Sequence, residues 1–272
     1  MPGQWTSPER TLRSEPVNLL KGPWELAIRP ERGGRITSLC LGGDELLDQG
    51  IGVDEPAAEG FVASGAWGWD EMVPNVDASS YPGPSPWAGT QLPDHGEAWR
   101  LPWRVLEESG DAVSMECTGR VLPWTLRRRI ELIGRAVRVT YAYRNQGAHP
   151  LYAYWCAHPL FRFEAGMDIG VDGGDQLSAL AEGTSVKRFL RRGSVDRVRL
   201  GWKSGLAVEI AWDPDVTPYT GVWVCNGDLG GHRQIAIEPA TGGGDRPHLA
   251  VPPPLLPPGD ELRWWLEIRD RR

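Results

Sequence analysis

Residues 152–163 read Tyr152-Ala153-Tyr154-Trp155-Cys156-Ala157-His158-Pro159-Leu160-Phe161-Arg162-Phe163. Aromatic and apolar side chains fill this run without a helical period, which predicts a strand buried on at least one face. Its single imidazole, His158, is costly there unless both ring nitrogens find partners. Pro159 cannot donate to a sheet ladder, so it marks a strand end, edge or bulge, where side chains are often aimed into sites. A lone histidine in such a run also reads as a core residue bonded to a carbonyl.

Working outward, Ala112–Gly119, Trp124–Leu132, Ala136–Asn145 and Pro150–Phe163 are four strand candidates joined by short turns, an antiparallel meander. Val198–Lys203, Ala207–Ala211, Gly221–Cys225, Arg233–Glu238 and Glu261–Arg269 continue the pattern downstream. Upstream, Trp24–Ile28 and Arg35–Leu41 read as a hairpin, with Glu45–Leu47 as a short addition. Residues 1–22 are expected to be an extended lead-in, and Ser178–Arg192 is the one modest helix candidate. Residues 48–100 form the longest irregular stretch. Tryptophans there argue against disorder, so a functional loop region is expected. The fold class predicted is all-β, a large antiparallel sandwich, with residues 1–272 as a single domain.

The chain has 272 residues, enough to bury a core without disulfides or metal. Its 34 glycines and 24 prolines follow no period and imply many turns. A well-mixed net charge of −7 gives no argument for nucleic acid or an anionic membrane as partner. Arg127-Arg128-Arg129 is the one basic cluster; in a strand it reads as solvated surface with one inward stem. Cys40, Cys117, Cys156 and Cys225 are widely separated, which predicts reduced, buried thiols and a cytoplasmic setting. Residues 1–10 carry no apolar signal region, and no apolar run reaches 18 residues. Core filling accounts for most of the 14 tryptophans, and three or four are expected to line a carbohydrate surface. Oligomeric state is not legible.

Two further stretches carry candidate chemistry. Glu238 ends the apolar run Ile235-Ala236-Ile237 and precedes Pro239; there a carboxylate either caps a strand toward water or faces a cavity as a general base. Gly242-Gly243-Gly244-Asp245 after it allows close backbone approach to a ligand. His95, between Asp94 and Gly96, suits hydrogen bonding to a polar ligand. Asp70 and Glu71 lie between apolar residues in Trp67-Gly68-Trp69-Asp70-Glu71-Met72-Val73-Pro74. The spacing of Asp70, Glu71, Asp94 and His95 matches no dedicated metal loop, and no metal is expected. Phosphate loops, nucleophile elbows and zinc motifs are absent from the sequence.

Leu92-Pro93-Asp94-His95-Gly96-Glu97-Ala98-Trp99, Ala157-His158-Pro159-Leu160-Phe161 and Ile237-Glu238-Pro239-Ala240-Thr241 together resemble, in order and separation, the signature stretches of the aldose 1-epimerase (galactose mutarotase) family. Arg35–Leu39 and Leu256–Asp260 add to the likeness, which spans roughly residues 24–269. The resemblance implies a β-supersandwich, a sugar as small-molecule partner and no cofactor. It implies His158 as general acid, Glu238 as general base and His95 as a sugar contact. Asp70, Glu71, Trp69 and Trp99 are expected as further substrate-binding residues. The implied reaction interconverts the α and β anomers of a free aldose. Two departures stand out: the first long loop lacks the family's arginine, and the mid-chain aspartate has only Asp213 and Asp215 as candidates. Two other readings are a non-catalytic sugar binder and a sugar-phosphate mutarotase using Arg100, Arg104 or Arg127–Arg129.

Overall fold

A computed structural model describes residues 15–50, 60–63 and 65–272. In chain order the strands are β1 (Val17–Lys21), β2 (Trp24–Arg29), β3 (Arg35–Leu41), β4 (Asp44–Glu45), β5 (Trp69–Met72), β6 (Ser79–Ser80) and β7 (Gln91–Leu92). Then come β8 (Arg104–Glu108), β9 (Ala112–Thr118), β10 (Trp124–Ile133), β11 (Ala136–Asn145), β12 (Leu151–Tyr152), β13 (Cys156–Arg162) and β14 (Asp168–Ile169). Last are β15 (Thr184–Phe189), β16 (Arg197–Gly201), β17 (Ala207–Trp212), β18 (Tyr219–Asn226), β19 (Arg233–Ala240), β20 (Leu255–Leu256) and β21 (Glu261–Asp270).

Two large antiparallel sheets face each other. One runs β1-β2-β3-β5-β13-β19-β18-β15, with β4 on β3; the other runs β14-β16-β17-β21-β11-β10-β9-β8. Along β10 fully buried side chains alternate strictly with more exposed ones, as the two-residue period of a pleated strand requires. One continuous apolar core lies between the sheets and includes Ile36, Trp69, Phe161, Ile237, Leu126, Val139 and Leu266. Trp24, Trp69, Trp103, Trp124, Trp155 and Trp212 are fully buried in it. The all-β sandwich expected from the sequence is what forms.

Several local expectations are corrected. The lead-in holds β1, paired with β2 from Val17↔Ile28 to Lys21↔Trp24, while residues 1–14 lie outside the described residues. The helix expected at Ser178–Arg192 is instead a short helix, Gly174–Ser178, followed by β15, whose apolar and long side chains are better satisfied by pairing with β18. The meander holds for β9, β10 and β11, but the chain then crosses sheets: β13 pairs with β19 and β5. The irregular stretch 48–100 contains β5, a central strand, because Trp69 and Glu71 belong to the inter-sheet core. Arg128 is the inward member of the basic run and is fully buried as an ion-pair partner rather than an apolar stem. Cys40 is half-buried, and all four cysteines are free thiols.

Candidate active-site cleft

The face of β13 turned away from the core carries Cys156, His158 and Leu160, while Ala157 and Phe161 point inward. On β19 the same parity turns Gln234, Ala236, Glu238 and Ala240 outward and Ile235 and Ile237 inward. Cys156 pairs with Ala240 and Leu160 with Ala236, so His158 stands opposite Glu238. Directly opposed residues project from the same face. Asp70 of β5 pairs with His158 from the other side. A row of three titratable side chains, Asp70, His158 and Glu238, therefore crosses three neighbouring strands. Pro159 and Pro239, one residue past each site side chain, interrupt the ladder where the strands carry it.

This row opens into a cavity of about 280 Å³, lined among others by His95, His158, Lys187, Trp223, Glu238 and Asp245. Such a volume is at the small end for ligand pockets, roughly 300–1,000 Å³, and suits one sugar ring better than an oligosaccharide. His158 Nδ1 lies 3.0 Å from Asp70 Oδ1. Asp70 Oδ2 accepts from the Arg35 guanidinium at 3.3 Å. Burial opposes the Asp70 charge, but the His158 hydrogen bond and the Arg35 charge outweigh it and hold the carboxyl below its usual range. An ionised Asp70 fixes Nδ1 as the protonated nitrogen of His158 and leaves Nε2 for the cleft.

His95 enters from the loop after β7. Its backbone is left-handed, φ 56°, a conformation uncommon outside glycine and enriched for histidine. Its N–H donates to Val76 O at 2.5 Å, and its Nδ1 lies 2.9 Å from Asp94. Gly96 follows, where a Cβ would fall 2.1 Å from Val73 O. Glu97 anchors the loop to the far sheet by accepting the N–H groups of Arg120 and Val121. Phe61 stacks on His95 at 4.1 Å and tilts against His158 at 5.1 Å, while the two imidazoles lie 5.5 Å apart.

Three expected substrate contacts are corrected. Glu71 follows Asp70 and so faces the opposite way, into the core, where Arg128, Tyr141 and Trp155 donate to it at 2.7, 2.9 and 2.8 Å. Trp69 shares that inward parity and is fully buried. Trp99 packs beneath the site on Phe61 and donates its indole N–H to Gly96 O, so it supports the loop from below. Asp70 reaches the cleft only through His158. Asp213 lies beside Trp265 on the far sheet and Asp215 is exposed next to it, so neither joins the cleft. Among the described residues, Asp245 and Asp77 are the aspartates that do. Trp223 is the tryptophan that lines it among the described residues, fewer than the three or four expected. Lys187 was hidden by the helical reading of its segment, although the alternation of Ser185, Lys187 and Phe189 fits a strand.

No protein-family profile matches the sequence, and no curated protein matches it either. Solved structures do match in shape. A Synechocystis sp. PCC 6803 protein superposes with a TM-score of 0.78 at 16% identity, covering 99% of both chains. A putative aldose 1-epimerase from Escherichia coli K12 gives 0.72 at 18%, covering 94% of this chain and 98% of that one. A galactose mutarotase-like protein from Lactobacillus casei gives 0.72 at 14%, covering 94% and 100%. The fold is galactose mutarotase-like. In this mutarotase-like fold the described cleft holds no arginine; Lys187 is the fixed positive charge among its described lining residues. Arg104 and Arg127 pair with Glu116 on the far sheet, and Arg100 lies over Trp99.

Proposed function

We propose that the protein is an aldose 1-epimerase-like mutarotase acting on a free, uncharged aldose. The observation that carries this reading is the in-register row Asp70–His158–Glu238 opening into a cavity of one-ring size. His158, held at Nδ1 by Asp70, is the general acid. Its Nε2, turned to the cleft, is the atom that gives a proton to the ring oxygen. Glu238 is the general base, and its buried Oε2 meets the Lys187 ammonium at 2.7 Å. His95 is a sugar contact.

The steps balance. Glu238 takes the proton of the anomeric hydroxyl while His158 gives its Nε2 proton to the ring oxygen. The bond from C1 to the ring oxygen breaks and a carbonyl forms at C1. After rotation about C1–C2 the hydroxyl attacks the other carbonyl face, His158 recovers its proton, and Glu238 returns its own to the anomeric oxygen. Glu238 and His158 end as they began. The sugar-phosphate reading loses support because Lys187 already meets two carboxylates and no described arginine converges on the cleft.

Polarimetry of freshly dissolved α-D-glucose and α-D-galactose tests the proposal. Acceleration beyond the buffer-catalysed rate, abolished in Glu238→Gln, is the expected result. Sugar binding without acceleration across an aldose panel would instead make the cleft a binding site.

A further inference from the structure

Lys187 is placed with unusual care for an edge-strand residue. It pairs with Trp223 across β18, and its side chain leans over Gly221, the residue opposite Glu238. A Cβ at Gly221 would fall 2.6 Å from Glu238 Oε2 and 3.2 Å from Lys187 Cε, so glycine is what makes room for the pair. The ammonium reaches Glu238 Oε2 at 2.7 Å and donates to Asp245 Oδ1 at 2.5 Å. The Lys187 and Glu238 side chains are only 17% and 3% exposed.

Asp245 is itself fixed. Its carbonyl accepts the N–H groups of Val76 and Asp77 at 2.9 and 2.8 Å, and the Tyr154 hydroxyl donates to Gly244 O next to it at 2.7 Å. Lys187 therefore links the strand bearing Glu238 to a braced loop wall. Stability alone is a poor reason to keep such a link, since desolvation offsets most of the attraction in a buried ion pair. The contact holds Oε2, itself closed off from solvent, against the ammonium.

We propose that Lys187 is a positioning residue of the cleft: it holds the Glu238 carboxylate at a fixed place over Gly221 and ties it to Asp245, so that the carboxylate meets the anomeric hydroxyl. The catalytic half of this rests on the mutarotase reading; the bridge itself does not. Burial opposes the Lys187 charge, but Glu238 and Asp245 outweigh it and push the ammonium above the ordinary lysine range.

Two measurements test it. In the protein labelled with 15N-lysine, the Lys187 ammonium, assigned by its loss in Lys187→Met, should give a resonance protected from solvent exchange that shifts in both Glu238→Gln and Asp245→Asn. An unprotected resonance, or one indifferent to either variant, overturns the bridge whatever the substrate. In polarimetric kinetics, Lys187→Met should lower kcat roughly ten- to a hundredfold, the scale of a misplaced catalytic group, with KM nearly unchanged. Aminoethylation of Lys187→Cys in a Cys40→Ser background, which rebuilds a lysine-like ammonium, should recover most of that loss. An unchanged kcat, a loss confined to KM, or no recovery by a folded aminoethylated protein overturns the positioning role. A wild-type protein that accelerates no aldose overturns the mutarotase reading and this role with it, and the ammonium resonance distinguishes that failure from failure of the bridge.

Discussion

Asp70 and Glu71 are adjacent, both buried, and each faces an arginine, yet they belong to different parts of the molecule. Asp70 faces the cleft, bonded to His158 and backed by Arg35. Glu71 faces the inter-sheet core, bonded to Arg128, Tyr141 and Trp155. The pleat alone separates them, because successive side chains of a strand point to opposite faces. Their titration differs accordingly. Neighbouring His158 and Arg35 overcome burial at Asp70 and lower its carboxyl, whereas at Glu71 burial prevails over Arg128 and raises it. One face of the nine-stranded sheet thus borders the cleft and the other the inter-sheet core.

If that division holds, function and stability should separate by face. The largest expected effect is on the cleft side: His158→Ala or Glu238→Gln should cut mutarotation by about 10²- to 10⁴-fold, with the urea midpoint almost unmoved. Near-wild-type rates in either variant would break the assignment. Glu71→Ala should do the reverse. It strands the buried Arg128 charge and should cost about 3–5 kcal/mol in urea unfolding, while protein that remains folded keeps its activity.

Asp70→Asn tests the boundary, since Asp70 acts on the substrate only through His158. Turnover should fall, by less than in His158→Ala, and the acid limb of stability should flatten. The folded carboxyl of Asp70 lies below its unfolded value, so its contribution is complete above the unfolded pKa, about 3.9, and is lost as pH falls further through the folded value. A stability curve for Asp70→Asn with the wild-type acid limb would remove Asp70 as its source. The smallest effect is expected for His95→Ala, which should weaken sugar binding and rate together by a modest factor, read as parallel changes in KM and kcat.

Much of this was legible along the chain. The strands β9, β10, β11 and β19 announce themselves by apolar alternation and short turns, and His158 and Glu238 by a polar group placed before proline in an apolar run. Asp70 and Glu71 could not both have faced one cleft, and period-two parity in the sequence already says so. Which of the two faces it depends on where β5 inserts, and β5 lies between strands far from it in sequence, β3 and β13. Lys187 is harder still: its strand reads weakly because four of its six residues are polar or charged, and its pairing with β18 is what turns the side chain toward Glu238.

The sequence by itself determined the β architecture and set His158 and Glu238 each before a proline in an apolar run, because two-residue periodicity and proline positions are local properties of the chain. The tertiary structure alone decided that Asp70, His158 and Glu238 form one row, that Asp245 rather than Asp213 joins them, and that Lys187 meets Glu238. Those are facts of cross-strand register between segments tens to more than a hundred residues apart, and register is fixed by burying one face of every strand at once.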